Sequence, residues 1–205
     1  MARSDLSDIT RAALLDAAIH EFAAHGFDGA STRAIATRAG VHQPQINYHF
    51  ASKLDLWRAA VALLFDELEG EAAALMKGVR GRRATLEAGI RAFVFHAARR
   101  PELNRIMVHE SGSPSERLDW LVATYVQDRF DVLAALWEPL RRRREVIDVD
   151  SVTAFYLMLG GGTLVYTNAP EARLLSGIDP TDPTRIEAHA NALIAMLTTT
   201  RTAGR

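Results

Sequence analysis

The sequence predicts an all-α protein, and three observations support that fold class. Apolar residues recur at intervals of three and four through almost every segment. No stretch alternates apolar and polar residues in the way that indicates a strand. Capping residues, glycines and prolines interrupt the apolar pattern at intervals typical of helices. With 205 residues and 48% hydrophobic content, the chain is long enough for a small head fused to a larger body.

The composition excludes several classes of protein and of functional site. The chain has no cysteine, which excludes disulfides, thiolate catalysis and the usual zinc-finger ligand sets. We therefore expect no metal site and no cofactor. The first eight residues are polar and acidic, and no apolar run approaches the length of a membrane span. We expect a soluble, cytoplasmic protein.

The N-terminal segment is predicted to hold three helices. The first runs from an N-cap at Ser7 to Gly26, where a left-handed residue is expected to end it. Ser31 caps a short second helix over 32–39, and Gly40 turns the chain towards the third helix. Two short helices joined by a tight glycine turn result.

The remaining chain is predicted to form a helical body. Ser52 and Asp55 match the capping-box pattern and open a long helix. The basic, glycine-containing stretch 77–83 is interpreted as a connecting loop, and the proline-rich stretch 169–182 as another. The other predicted helices cover 84–99, a short segment through Ile106 and His109, 115–144, 151–167 and 183–199.

Residues 32–53 form a motif in which several physical roles are met at fixed offsets. Its segments are TRAIA at 32–36, AGVHQPQINYHF at 39–50 and SK at 52–53. Ile35, Val41 and Ile46 are apolar anchors, Gly40 allows the turn, and a lysine begins the next helix. This combination strongly resembles the TetR family of bacterial repressors.

The resemblance implies a three-helix helix-turn-helix DNA-binding domain over 1–52 and a helical ligand-binding and dimerisation domain over 53–205. The third helix also has the chemistry of a groove reader, because glutamine and asparagine side chains match the donor and acceptor pattern of adenine. The predicted DNA-binding residues are Thr32, Arg33, His42, Gln43, Pro44, Gln45, Asn47, Tyr48, His49 and Lys53. At His42 and Asn47 this chain departs from the residues common in the family, so we expect its sequence preference to differ there.

The positive charge expected of a DNA-binding surface is local. The net charge of the chain is −1, whereas residues 31–58 contain four lysines and arginines against the single acidic residue Asp55. Affinity is therefore expected to depend on a compact set of phosphate contacts around Lys53.

In the family the last two long helices form a four-helix interface with a second subunit, and two apolar stripes fit that role. The predicted dimer residues are Val152, Phe155, Leu159, Gly162, Tyr166, Ile186, Ala190, Leu193 and Leu197. Such stripes are equally typical of intramolecular core. The glycines at 160–162 favour a close helix approach, either across a dimer seam or beside a ligand.

The middle of the body contains aromatic, sulfur-containing and polar residues suited to a mostly apolar ligand pocket. The predicted ligand-binding residues are Phe93, His96, Met107, Trp120, Tyr125, Phe155 and Met158. Ordinary core is the alternative for each of them. His96, His109 and Glu110 fit no ligand spacing typical of a metal site.

These observations together predict a ligand-responsive, homodimeric transcriptional repressor that a small, largely apolar molecule releases from a palindromic operator. Two alternatives use the body pocket differently: an enzyme, or a ligand-sequestering helical protein whose head does not bind DNA. No Ser-His-Asp, paired-carboxylate or nucleotide-loop pattern is visible, so we do not expect an enzyme. When bound to DNA, the protein is expected to associate with the bacterial nucleoid.

Overall fold

The structure is a computed structural model that describes the backbone of residues 3–199 and the side chains of residues 7–199. Over these residues the chain is helical, with one isolated bridge between Val146 and Thr198, which confirms the predicted all-α class. The helices are α1 (Arg3–Gly29), α2 (Thr32–Arg38), α3 (Pro44–His49), α4 (Lys53–Met76), α5 (Arg82–Arg99), α6 (Pro101–Ser111), α7 (Glu116–Leu121), α8 (Gln127–Arg142), α9 (Ser151–Thr167), α10 (Ala169–Ser176) and α11 (Pro183–Leu197).

The chain divides into two compact units. The first extends to Asp66 and includes Glu102–Ser115, and the second comprises Glu67–Pro101 and the chain from Glu116 onward. The first unit thus continues past the boundary predicted at residue 52, because the N-terminal half of α4 is part of its core. Trp57 of α4 is fully buried there and meets the ring of Phe27 edge-on at 6.1 Å between centroids.

Several helix starts have the caps that the sequence predicts. Ser31 Oγ accepts a hydrogen bond from Ala34 N at 3.4 Å, and Ser52 Oγ accepts one from Asp55 N at 3.0 Å. Asp182 accepts the backbone N–H of Thr184 at 2.9 Å. Gly26 has the expected positive φ of 67°, but helical structure resumes after it as far as Gly29.

Two features of the body differ from the prediction. The stretch predicted as a loop contains α10, which Pro170 helps to begin and Gly177, with φ 68°, ends. The helix predicted over 115–144 is interrupted by a π-helical turn at Val122–Val126. Pro139 lies inside α8, which continues to Arg142. In the first turn of a helix the backbone N–H groups have no acceptor within the helix, so proline, which lacks an N–H, is tolerated there. This also explains how α6 begins at Pro101.

The core of the second unit is formed where α5 packs against α9 and α11. Two glycines of α9 permit this approach. An added Cβ would lie 2.9 Å from Leu193 Cδ1 at Gly161, and 2.9 Å from Phe93 Cε1 at Gly162. At these two positions the close helix approach predicted for the glycine run therefore occurs within one subunit.

Candidate nucleic-acid interface

Helix α3 is fixed to the head by one apolar side chain and a tight turn. Ile46 is 2% exposed. Ile35 and Ala36 of α2, which belong to the same motif, are also buried in the first unit. Val41 N donates to Ala36 O at 3.0 Å, and Gly40 adopts the positive φ of 68° that this turn needs. Four of the other five side chains of α3 are exposed, and His49 is partly buried.

The predicted reader residues lie on that outward side. Gln43, Pro44, Gln45 and Asn47 are exposed, and Tyr48 has 78% of its surface exposed. Two of them also have local structural roles. Gln45 Oε1 accepts the backbone N–H of His42 at 3.1 Å, and Gln43 Nε2 donates to Thr32 Oγ1 at 3.4 Å. The amide group of Gln45 keeps its two N–H donors, which suits recognition of a base edge.

The predicted phosphate-contacting residues surround α3. Arg33 on α2 is exposed, whereas Thr32, His49 and Lys53 are partly buried. Lys53 Nζ lies 4.8 Å from the centroid of the Phe27 ring and donates to Asp28 O at 3.4 Å. The ring and the carbonyl hold the ammonium group at the N-terminus of α4, where the helix dipole adds positive potential. All ten predicted DNA-binding residues thus belong to the first unit.

One acidic residue that the motif does not contain reduces the local positive charge. Glu21 of α1 is buried, and its Oε1 lies 3.2 Å from Arg38 Nε. Its other oxygen lies 3.8 Å from His25 Nε2. Arg38 is therefore charge-compensated, and the sequence balance over 31–58 overstates the free positive charge of the head. An open surface hollow beside this pair is lined by Glu21, Ser31, Arg33, Ala34, Thr37 and Arg38.

Comparison with known proteins identifies this arrangement. Residues 14–60 match the model of the family described as bacterial regulatory proteins of the tetR family. The N-terminal domain belongs to the TetR family. That family consists of regulatory proteins, which agrees with the prediction of a non-enzyme. The match covers α2, α3 and the start of α4, and thus includes every predicted DNA-binding residue.

A curated relative supports the same assignment over part of the chain. The HTH-type transcriptional activator FasR of Mycolicibacterium smegmatis is 35% identical over 86 residues, which are 42% of this chain. The matched segment is only 39% of the length of FasR.

Solved structures share the fold over nearly the whole chain. Apo AibR covers 92% of this chain and 98% of its own, with a TM-score of 0.69 and 17% identity. AibR in complex with isovaleryl coenzyme A and operator DNA has a TM-score of 0.73 at 18% identity, with coverage of 92% and 98%. The ketosteroid regulator KstR2 of Mycobacterium tuberculosis has a TM-score of 0.68 at 14% identity, with coverage of 93% and 95%. The fold shared with these structures therefore includes the body as well as the head.

The predicted ligand-binding residues are not all in one unit. Met107 belongs to the first unit, and the other six belong to the second. Trp120 and Tyr125 meet edge-on at 5.4 Å next to the π-helical turn, and Phe155 meets Phe130 in the same way at 5.6 Å. These half-buried aromatic residues and the partly buried Met158 remain candidates for a pocket lining.

Two of the predicted ligand-binding residues have structural contacts instead. The ring of Phe93 fills the space left by Gly162. His96 is buried, and its Nδ1 lies 2.9 Å from Glu71 Oε1, a carboxylate that also pairs with Arg99. Among the side chains of residues 7–199, no group of three or more histidine and acidic residues is arranged to hold a metal ion.

The predicted dimer residues differ in their burial within the chain, and five of them are buried. These five are Gly162, Tyr166, Ala190, Leu193 and Leu197. Burial raises the pKa of Tyr166 to about 12, and its hydroxyl is 2.9 Å from His189 Nδ1. Phe155, Leu159 and Ile186 are partly buried, while Val152 is exposed.

A different set of apolar residues on α9 and α11 is exposed. Tyr156 is 67% exposed, Leu164 59% and Met196 71%. Tyr156, Gly160 and Leu164 recur every four residues and so share one face of α9. None of the helices within residues 3–199 is long and apolar enough to cross a membrane.

Proposed function

We propose that this protein is a DNA-binding transcriptional regulator whose helix α3 enters the major groove. The observation that carries the proposal is the division of one six-residue helix into a buried anchor and an exposed polar face. Ile46 fixes the helix, and Gln43, Gln45 and Asn47 present amide groups to solvent. A helix held in this way can place several donors and acceptors against base edges without loss of its own packing.

The regulator is proposed to act as a homodimer on a palindromic site. The exposed stripe of Tyr156, Gly160 and Leu164 on α9, with Met196 on α11, supports a partner-binding face, because large apolar side chains clustered on a surface usually mark an interface. Two-fold symmetry would place the α3 helices in successive major grooves, about 34–36 Å apart.

A small, largely apolar effector is proposed to bind the second unit and to release a repressor from its operator. AibR, which shares the fold, was solved with isovaleryl coenzyme A and operator DNA. Helix α4 belongs to both units, which gives a continuous element between effector and DNA. An effector that prefers one conformation of the body by about 3 kcal/mol would weaken DNA binding more than a hundredfold. Such a protein acts in the cytoplasm, on the nucleoid when bound.

The experiment that tests the proposal is selection of bound duplexes from a random DNA pool with the full-length protein. We expect an enriched palindrome whose half-sites are about one helical turn apart. A Lys53→Ala variant should recover the same site more weakly, since Lys53 contacts phosphate rather than bases. Recovery of no enriched sequence would contradict the proposal and would favour the ligand-sequestering alternative.

A further inference from the structure

Arg11 lies on α1, outside the helix-turn-helix motif, yet it contacts the end of α3. Its guanidinium carbon is 5.4 Å from the centroid of the Phe50 ring. Phe50 is the C-cap of α3 and is itself buried, so its ring is a fixed platform. The guanidinium group is thereby held beside the turn that connects α3 to α4.

The side chain of Arg11 is exposed, and no carboxylate among the side chains of residues 7–199 pairs with it. Arg38 of the same unit provides a contrast, because the buried carboxylate of Glu21 lies 3.2 Å from its Nε. A guanidinium group that rests on an aromatic ring keeps its N–H edges free, and those edges match the geometry of a phosphate.

Arg11 and Lys53 both lie near the turn that connects α3 to α4. Arg11 contacts the ring that ends α3, while Lys53 contacts Phe27, near the C-terminal end of α1. Both cations rest on aromatic rings of the head. They are therefore positioned to contact phosphates of the DNA backbone near the C-terminal end of the recognition helix.

We propose that Arg11 is a phosphate-contacting residue of the DNA interface, positioned by Phe50. This inference rests on the proposed DNA-binding function. It adds α1 to an interface otherwise built from α2, α3 and the start of α4. The contact is to the DNA backbone, so it contributes affinity equally on every sequence and carries no base preference.

The test is a salt titration of binding to the duplex recovered from the random pool, with the full-length protein. The logarithm of the association constant should fall with the logarithm of salt concentration, with a slope that decreases by about 0.9 for each lost phosphate contact. Because the proposed homodimer carries two copies of Arg11, Arg11→Ala should lose about 1.8 of slope, which corresponds to roughly sixtyfold weaker binding at 0.1 M salt and to almost no weakening at 1 M. Arg11→Lys should keep the slope.

Arg82→Ala is the matched control, because Arg82 is an exposed arginine of the second unit and its loss changes the net charge equally. It should leave the slope unchanged. If Arg11→Ala lowers the melting temperature or the affinity without a change in slope, Arg11 has only a packing role on Phe50 and the inference is wrong. If Lys53→Ala lowers the slope and Arg11→Ala does not, the inference that Arg11 contacts phosphate is wrong, while the DNA-binding proposal stands. If the wild-type protein binds no duplex, both are overturned.

Discussion

Replacement of Gly162 by alanine tests the packing of the second unit at its closest helix contact. A Cβ at this position would lie 2.9 Å from Phe93 Cε1, 3.0 Å from Phe93 Cδ1 and 3.6 Å from Leu193 Cδ2. Gly160, two residues earlier on the same helix, has no heavy atom within 4 Å of an added Cβ. The pair Gly162→Ala and Gly160→Ala therefore adds the same methyl group to a crowded and to an open position.

The expected difference can be worked out because one contribution cancels. Alanine is favoured over glycine inside a helix by about 1 kcal/mol, and both variants gain this amount. Gly162→Ala must in addition push the Phe93 ring away from a packed core, and such overpacking costs about 1–3 kcal/mol. Gly162→Ala should thus have a free energy of unfolding about 1–3 kcal/mol below that of Gly160→Ala. Gly161→Ala should lie between them, since it meets the mobile end of Leu193.

Urea unfolding followed by circular dichroism measures this difference, at several protein concentrations, because Gly160 lies on the proposed partner-binding face and a change in subunit association would make the difference depend on concentration. Phe93→Leu offers a further check, because a smaller side chain should relieve part of the cost of Gly162→Ala. Equal stability of the two alanine variants, or a more stable Gly162→Ala, would refute the packing of α9 described above.

Three other predictions concern the DNA interface, the dimer and acid stability. Asn47→Ala should leave the melting temperature unchanged and relax the preference at one base pair by about 1–3 kcal/mol, measured by repeating the duplex selection; an unchanged preference would remove Asn47 from the reader face. Leu164→Glu should convert a dimer to a monomer in sedimentation velocity, whereas Val132→Glu, equally exposed on α8, should not; a dimer in both cases would place the interface elsewhere. Hydrogen bonds from Thr181 and from Arg173 lower the pKa of Asp179 to about 2. The contribution of Asp179 to the stability of the fold is therefore present above its ordinary pKa of about 4 and is lost as pH falls towards 2. Melting curves of Asp179→Asn should therefore show a smaller loss of stability than wild type over that pH interval.

The helix-turn-helix was predictable because its signals are local. Ser31, Gly40 and Ile46 act on neighbours within a few residues, and each has the conformation or burial that its residue type favours. The α10 helix was missed for the opposite reason. The stretch 169–182 contains two prolines and many polar residues, which are typical of loops, and Pro170 is compatible with a helix because it stands in the first turn.

The faces of α9 could not be assigned from spacing. This helix is apolar on nearly every side, so the stripe through Gly162 and Tyr166 and the stripe through Tyr156 and Leu164 are equally regular in the sequence. Only the packing of α5 and α11 decides which stripe is buried. Contacts between distant segments likewise could not be predicted from the sequence. Examples are the pairing of Glu21 with Arg38 and the contact of Arg11 with the Phe50 ring.

The most direct test of the account compares the affinity of the full-length protein for its selected duplex with its affinity for a scrambled duplex of equal length and composition. Both affinities are measured at 0.15 M salt, because phosphate contacts alone make both depend on ionic strength. A helix α3 that reads bases predicts binding to the selected duplex at least about a thousandfold tighter. Equal affinity for the two duplexes would contradict the assignment of α3 as a recognition helix.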